Sequence, residues 1–323
     1  MNQSYPAFKF KDNHPAEADF KAEALAGLTA AQKSISPKFF YDEAGSRLFD
    51  AICATPEYYP TRTETAIIRD NVSSIASALG RGCLLVEPGS GNSAKVRVLL
   101  DALKPHTYLP MDISKAFLQK EAARLAAEFP WLNVHAVCSD FTQSLELPVE
   151  RSGVRSIAFF PGSSIGNFEP EHAQAFLGRI GAMVGPRGGL LIGIDLKKDP
   201  VVLNAAYNDR TGVTAAFNKN MLTRMNRELG ANFELGRFDH RAFYNASRGR
   251  IEMHLESKCA QQVTVAGALI DFRAGETIHS ENSYKYTVGE FSALAAGAGF
   301  DAHATWTDRD GWFALMYFSA VAR

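Results

Sequence analysis

Between about residue 61 and residue 196, short continuous apolar runs alternate with segments whose apolar residues recur at helical spacing. Cys83–Glu87 is a short continuous apolar run, and further strands are predicted near Tyr108–Ile113, Val134–Asp140, Ser156–Phe160 and Leu190–Asp195. Continuous apolar runs are typical of parallel strands that are buried on both faces. Five such strands joined by helical crossovers predict an α/β fold with a doubly wound, Rossmann-like parallel sheet.

A helix is predicted just before the first of these strands. Thr61 and Glu64 have the spacing of a capping box, in which each side chain bonds a backbone N–H at a helix start. Apolar residues continue at helical spacing to Leu79, and Gly80 suits the end of the helix.

The rest of the chain has a different pattern. Two aromatic-rich runs, 302–307 and 312–321, flank Asp308–Gly311 and predict a hairpin that closes the sheet edge. Between 197 and 285 a long helix from Val213 to Gly230 precedes strands with period-2 alternation. We therefore predict a Rossmann-like domain at 61–196 plus 286–323, and a second, discontinuous α+β domain at 1–60 plus 197–285.

Composition and charge exclude several classes of protein. The formal net charge is −1 and the hydrophobic content is 46%, which favours a globular protein without a nucleic-acid partner. No apolar run has the length of a membrane span and Met1–Pro15 has no apolar leader core, so no membrane partner and a cytoplasmic location are expected. The four cysteines and eight histidines show no metal-ligand spacing, so no metal is expected. The sequence does not define an oligomeric state, and a monomer is compatible with it.

A glycine turn, Gly89-Ser90-Gly91, follows the first apolar strand. Glycines at a strand-to-helix turn let the backbone approach a ligand closely. Ala94 stands where a dinucleotide fingerprint has its third glycine, so the turn indicates a pyrophosphate site only weakly. An acidic residue just before the turn, here Glu87, is more typical of S-adenosylmethionine sites.

Polar residues also follow the next two strands. Asp112 closes the second strand, where a carboxylate can accept from ribose hydroxyls, and Asp140-Phe141 close the third. There a carboxylate suits the exocyclic amine of adenine and the ring suits stacking. Because α/β sheets bind ligands at the carboxyl ends of their strands, these positions together favour a cofactor that contains a nucleoside.

Longer motifs resemble the histidine-specific methyltransferases of ergothioneine biosynthesis over nearly the whole chain. The motifs are Ser36–Asp42, Leu48–Asp50, Pro56–Glu64, Gly89–Gly91, Ile165–Asn167 and Ile251–Met253. The Tyr58-Tyr59-Pro60-Thr61-Arg62 block is far more specific than the glycine turn. The resemblance implies transfer of three methyl groups, one at a time, from S-adenosylmethionine to the α-amine of L-histidine.

The resemblance implies that the Rossmann-like domain, 61–196 plus 286–323, is an S-adenosylmethionine-binding methyltransferase domain and that the α+β domain, 1–60 plus 197–285, is a substrate-binding domain. It also implies roles for individual residues. Those implied for S-adenosylmethionine are Gly89, Lys95, Asp112, Asp140 and Phe141. Those implied for histidine are Tyr58, Asn167, Tyr207, Met253, Glu281 and Ser283, with Tyr58 and Asn167 next to the reacting amine. Asn282, between Glu281 and Ser283, lies at a position that varies in the family.

Three alternatives stay open at this point. The same fold could methylate another amino acid such as tryptophan or tyrosine, although Met253 and Glu281 count against this. A nicotinamide-dependent oxidoreductase could use the same glycine turn. A binding protein could retain the cofactor fold without activity.

Overall fold

The computed structural model describes residues 8–13, 20–141, 147 and 153–321. Its thirteen strands in this part of the chain are β1 (Lys9–Asp12), β2 (Leu84–Pro88), β3 (Thr107–Asp112), β4 (Asn133–Cys138), β5 (Ser156–Phe160), β6 (Gly189–Asp195), β7 (Phe238–Asn245), β8 (Arg250–Ser257), β9 (Gln261–Val265), β10 (Ala268–Phe272), β11 (Thr277–Tyr284), β12 (Phe300–Thr307) and β13 (Phe313–Ala320).

The α-helices are α1 (Phe20–Thr29), α2 (Glu43–Ala54), α3 (Pro60–Asp70), α4 (Val72–Leu79), α5 (Ala94–Leu103), α6 (Lys115–Glu128), α7 (Pro170–Val184), α8 (Pro200–Ala206), α9 (Val213–Leu229) and α10 (Val288–Gly297). Short 3₁₀ helices occur at Pro37–Phe40, Ser164–Asn167 and Leu235–Arg237. None of the described helices is long and apolar enough to cross a bilayer.

The described residues divide into two compact units. The sheet unit comprises those within Met1–Pro15, Arg62–Leu196 and Tyr286–Arg323. The insert unit comprises those within Ala16–Thr61 and Lys197–Lys285.

The sheet unit contains an eight-stranded sheet in the order β1-β4-β3-β2-β5-β6-β13-β12. Strands β1 to β6 pair in parallel, as βαβ crossovers require. Every residue of β2, β5 and β6 is buried, which explains why these strands are continuous apolar runs. The predicted α/β, Rossmann-like fold is confirmed.

The predicted closing hairpin is also present. Strand β13 pairs antiparallel with β6, and β12 pairs antiparallel with β13 at the edge of the sheet. The helix before the hairpin, α10, begins with a capping box in which Thr287 and Glu290 bond each other's backbone N–H.

The N-terminal segment departs from the prediction. We assigned residues 1–60 to the substrate-binding domain, but β1 (Lys9–Asp12) pairs with β4 at the other edge of the large sheet. An ion pair of 2.7 Å between Lys115 Nζ and Asp12 Oδ2 adds to this pairing. Three of its four residues are exposed, and Phe10 alone in the strand is partly buried and packs against the hydrophobic core. One inward apolar side chain makes no periodic pattern, so the sequence could not reveal this strand.

The predicted capping box at Thr61 and Glu64 is wrong. Helix α3 begins at Pro60, so Thr61 lies inside its first turn and donates its hydroxyl to Cys53 Sγ at 3.2 Å. Glu64 is fully buried and bonds elsewhere, as described below. The helix is also interrupted at residue 71, between α3 and α4, before it ends at Gly80 with φ of 81°.

The insert unit is built on the antiparallel sheet β11-β8-β7 and the hairpin β9–β10. Ile251, Met253 and Leu255 on one face of β8 are buried, as the alternation predicts. Helix α9 contacts β8, and its Phe217 ring lies 4.5 Å from Phe40. On the opposite face of β8, Glu252 and His254 are buried as well, so both faces of this strand are covered.

Candidate active site

The glycine turn lies at the carboxyl end of β2 in the sheet unit. Gly89 has φ of 68°, and a side chain there would bring its Cβ within 3.2 Å of Phe141 Cε1. The N–H groups of Gly89 and Ser90 donate to the carbonyl oxygen of Met111 at 2.7 and 3.0 Å. The turn therefore requires glycine both for its conformation and for the close approach of the Phe141 ring.

Asp112, at the end of β3, is bonded to the same turn. Its Oδ2 accepts from the N–H of Gly91 at 3.2 Å, and its Oδ1 accepts from the N–H of Ser114 at 2.8 Å. Burial raises the pKa of this carboxyl above its ordinary value, against the lowering effect of those backbone donors. The backbone N–H of Ile113 and the Ser114 side chain also donate to this carboxyl, so a ribose hydroxyl would share its oxygens with these donors.

Asp140 and Phe141 follow β4, as predicted, and lie beside polar groups that lack partners. The buried hydroxyls of Ser90 and Ser139 have no hydrogen-bond partner among the described residues. A buried polar group without a partner costs free energy, so these hydroxyls suit a polar ligand at the ends of β2 and β4. The residues present therefore fit the adenosine part of S-adenosylmethionine.

Lys95 belongs to a buried network that sequence reasoning missed. Its Nζ lies 2.5 Å from Oε2 of Glu64, and the Glu64 carboxylate also accepts from the N–H of Gly162 at 2.9 and 3.1 Å. Glu64 thus fixes Lys95 beside the loop that follows β5. Its place three residues after Thr61 suggested a helix cap, and the sequence contains no local signal for these long-range partners.

Glu87 is not directly available as a charged ligand at neutral pH. The Tyr108 hydroxyl donates to its carboxyl group, and burial raises the pKa of Glu87 to about 8. The group is therefore mainly protonated at pH 7. The sequence suggested that an acidic residue before the glycine turn indicates a cofactor site. In the structure, the Glu87 carboxyl is buried inside the sheet unit, where it is hydrogen-bonded to Tyr108.

Asn167 lies in the 3₁₀ helix Ser164–Asn167 that follows β5. The preceding Ser163 has φ of 59°, and its Oγ accepts from the N–H of Asp195 at 2.9 Å. This bond ties the loop to the end of β6. Asn167 is thereby placed at the same carboxyl edge of the sheet as Asp112 and Phe141.

In the insert unit, the structure brings Tyr207 and Ser283 together around a lysine. The Tyr207 hydroxyl donates to Ser283 Oγ at 2.8 Å, and Lys285 Nζ lies 2.8 Å from Ser283 Oγ and 3.2 Å from the Tyr207 oxygen. Lys285 is not among the predicted residues. A signal for it exists in the sequence, because 281, 283 and 285 have the spacing of one strand face.

Tyr58, Glu281 and Met253 belong to the same unit. The Tyr58 and Tyr207 rings are 6.2 Å apart in an edge-to-face arrangement. Burial, followed by the neighbouring Tyr207, Cys53, Glu281 and Tyr41, raises the pKa of Tyr58 well above its usual range, so its phenol stays protonated. Glu281 on β11 is paired in register with Met253 on β8.

A further group of titratable side chains lies on the opposite face of β8 and β11. Possible ligand atoms of Glu252, His254 and His279 lie within 4.8 Å of one another. The two imidazoles stack with ring centroids 4.6 Å apart and planes 15° apart, so their in-plane lone pairs lie in two nearly parallel, separate planes. Glu252 also pairs with Arg250 at 2.8 Å. At least one ring would have to turn before both could bind a single ion.

The glycine turn, Asp112 and the Asp140-Phe141 pair at consecutive strand ends of a Rossmann-like sheet define the class: an S-adenosylmethionine-dependent methyltransferase of the class I fold. The family model described as "Histidine-specific methyltransferase, SAM-dependent" matches residues 20–320. The chain therefore belongs to the histidine-specific, S-adenosylmethionine-dependent methyltransferase family.

Relatives agree with this assignment. The chain is 44% identical over 309 residues to a histidine N-alpha-methyltransferase of Mycolicibacterium smegmatis, covering 92% of this chain and 95% of that protein. It is 42% identical over 303 residues to the Mycobacterium tuberculosis protein of the same name, covering 91% and 93%. It is 31% identical over 290 residues to ergothioneine biosynthesis protein 1 of Neurospora crassa, covering 83% of this chain and 31% of that longer protein.

Proposed function

We propose that this enzyme transfers three methyl groups, one at a time, from S-adenosylmethionine to the α-amine of L-histidine, giving N,N,N-trimethylhistidine (hercynine) for ergothioneine biosynthesis. The observation that carries the proposal is the buried cluster of Tyr58, Tyr207 and Ser283 beside Glu281, with Met253 in register. These residue types suit a polar ring better than an apolar one. The names of the mycobacterial and fungal relatives support the same substrate and pathway.

S-adenosylmethionine, when bound, would supply a methyl group on a positively charged sulfur: the amine nitrogen would bond to the methyl carbon in line as the C–S bond breaks, S-adenosylhomocysteine would leave as a neutral thioether, and the methylated amine would lose a proton before the next transfer. Such a displacement requires neither a metal nor a covalent intermediate. In the sheet unit, Asp112 is proposed to accept from the ribose hydroxyls, and Asp140 with Phe141 to hold the adenine. Gly89 is proposed to let the cofactor approach the backbone closely. Lys95, which is oriented by Glu64, is the remaining residue proposed to bind the cofactor.

The remaining residues are proposed to hold histidine as a free amine. An α-amine titrates near pH 8 in reference peptides, so only a modest aid to deprotonation is needed. Asn167 and the protonated Tyr58 are neutral acceptors that align the lone pair without trapping an ammonium as a carboxylate would. Holding amine and methyl group in line supplies part of the roughly 7–11 kcal/mol that positioning can contribute. Glu281 is proposed to accept an imidazole N–H.

The test is to incubate the protein with S-adenosylmethionine and each of the twenty amino acids, and to measure mass gains. Histidine should gain one, two and then three methyl groups, and NMR should place all three on Nα. A parallel reaction with S-adenosylhomocysteine in place of the methyl donor is the control. Ring methylation, or mass gain on tryptophan or tyrosine instead, would overturn the proposed substrate orientation or the proposed substrate.

A further inference from the structure

The side chain of Lys285 is buried among hydroxyl groups in the insert unit. Only 2% of the residue is exposed, and its Nζ lies 5.0 Å from the centre of the Tyr207 ring in addition to its contacts with Ser283 and the Tyr207 oxygen. Burying an amine is costly unless it is hydrogen-bonded. Its position at these two hydroxyls therefore suggests a purpose beyond packing.

The directions of these hydrogen bonds decide what Ser283 can do. A lysine ammonium is a donor only, so it donates to both hydroxyl oxygens. The Tyr207 hydroxyl donates to Ser283 Oγ as well. Ser283 then accepts two bonds, which occupy both of its lone pairs. The one hydrogen-bonding function it still has to offer is its own hydroxyl hydrogen.

Glu281 supplies the opposite function on the same face of β11. On β11, Glu281 is paired with Met253 of β8 and Ser283 is paired with Ile251. Glu281 and Ser283 are two residues apart on the strand, so their side chains lie on the same face. An ionised carboxylate only accepts hydrogen bonds. The face thus offers one acceptor and one donor. A neutral imidazole offers one N–H and one lone pair, whereas an imidazolium offers two N–H groups.

We propose that Lys285 is a positioning residue that holds Ser283 as a donor, so that the site takes the neutral imidazole of histidine with one ring N–H on Glu281 and the other ring nitrogen on Ser283. This inference rests on the proposed function and adds the protonation state of the substrate and the residue that selects it. Lys285 acts through Ser283 and does not itself touch the ring.

The test compares two amino acids in variants of the full chain. L-histidine carries both ring functions, and 3-(2-thienyl)-L-alanine, a ring of similar size, carries neither. Lys285→Met removes the ammonium and keeps most of the stem. The matched control is Lys33→Met, since Lys33 is a largely buried lysine of the same unit whose partner is Glu276. For each variant, kcat and KM are measured for histidine, and the inhibition constant is measured for thienylalanine against histidine.

Lys285→Met should lower kcat/KM for histidine by about tenfold or more, mainly through KM, because a charge-assisted contact orders the donor. The thienylalanine inhibition constant should change less than about threefold, since that ring makes no bond to Ser283. The double variant Lys285→Met with Ser283→Ala should have a histidine kcat/KM within about threefold of that of Ser283→Ala alone, because the effects of coupled residues do not add. Lys33→Met should leave both measurements unchanged.

A pH profile gives an independent readout. In wild type, the plot of log kcat/KM against pH should steepen below about pH 6.5, where imidazole becomes protonated and presents a second donor to Ser283. Lys285→Met should lose this steepening, because Ser283 can then accept a hydrogen bond. Ser283→Ala, which retains the lysine, should lose it too and serves if Lys285→Met does not fold.

Several outcomes would overturn the inference. Equal loss for histidine and thienylalanine in Lys285→Met would indicate a purely structural lysine, as would additive losses in the double variant. An unchanged histidine kcat/KM, or steepening that persists in both single variants, would do the same. A wild-type protein that methylates another amino acid but not histidine would instead overturn the proposed function.

Discussion

The sheet unit and the insert unit present their candidate binding residues in different ways. In the sheet unit, the N–H groups of the glycine turn donate to the Met111 carbonyl oxygen and to the Asp112 carboxylate, which lies 21 residues after Gly91. In the insert unit, Tyr58, Tyr207 and Ser283 are far apart in sequence and are assembled by side-chain contacts. The first arrangement is a backbone turn at the sheet edge, to which side chains such as Asp112 and Phe141 add the proposed contacts with the methyl donor. The second is built from side chains of distant segments and is proposed to hold the substrate.

If this contrast is correct, a substitution in one unit should affect one ligand and leave the other unchanged. The following variants test that separation.

The largest effect is expected for Glu281→Ala. Deleting a charged hydrogen-bond partner of the ring should cost about 2–4 kcal/mol in kcat/KM for histidine. A site that bonds ring nitrogens rejects an apolar ring strongly, so the penalty on tryptophan should relax, more so if Met253→Val is added. Affinity for S-adenosylhomocysteine should not change. The control is Glu256→Gln, which removes a carboxylate on the neighbouring strand β8 that pairs with Arg241 on β7. A loss of histidine kcat/KM below about threefold would remove Glu281 from the site.

The reciprocal variant is Asp112→Ala in the sheet unit. Loss of charge-assisted bonds to the ribose should weaken S-adenosylhomocysteine binding by about 1.5–3 kcal/mol, or roughly tenfold or more. Calorimetry measures the affinity, and circular dichroism checks the fold. Asp101→Ala, at an exposed carboxylate on α5, is the matched control. Unchanged cofactor affinity in Asp112→Ala would contradict the proposed ribose contact.

Glu87 should make the stability of the sheet unit depend on pH. Its pKa is about 8 in the folded protein against an ordinary value of 4.5, so the folded state keeps a proton that the unfolded chain loses. Its contribution to stability is complete below about pH 4.5 and is lost as the pH rises through about 8. The unfolding free energy of wild type should therefore fall as the pH rises from 5 to 7.5. In Glu87→Gln this fall should be smaller by about 1 kcal/mol per pH unit.

Urea unfolding at several pH values measures this difference. Glu171→Gln, at an exposed position on α7, is the control and should leave the slope as in wild type. Equal slopes for wild type and Glu87→Gln would show that Glu87 is ionised in the folded protein.

The smallest effect concerns the two glycines of the turn. Gly89→Ala and Gly91→Ala both force an alanine to positive φ, at a similar cost of about 1–2 kcal/mol. Only at Gly89 does the added methyl group meet Phe141, since none of the described residues has an atom within 4 Å of a Cβ at Gly91. Gly89→Ala should therefore weaken S-adenosylhomocysteine binding by up to about 1 kcal/mol more than Gly91→Ala. Equal affinities would mean that the Phe141 ring moves aside freely.

Much of the sheet unit could be predicted from the sequence. The continuous apolar runs of β2, β5 and β6 predict strands buried on both faces, and the residues that follow each strand predict the ligand edge. The motifs around Tyr58 indicate the family, which the family match and the relatives confirm. The roles of the individual site residues stay predictions that the variants above test.

Other features are decided by the tertiary structure alone. Hydrophobic periodicity requires several buried side chains at a regular spacing, so it does not show β1, an edge strand paired with β4 in which only Phe10 is partly buried.

Hydrophobic periodicity likewise does not show the partner of a buried polar group. Glu64 has the spacing of a helix cap, yet it bonds Lys95 and the N–H of Gly162, which lies 98 residues away in sequence. The position of Lys285 relative to Tyr207 depends in the same way on how β11 meets the segment after α8. Local sequence determines which elements form and which edges can bind a ligand, whereas pairings of buried charges arise only when distant segments pack together, because burial makes each such group require a partner.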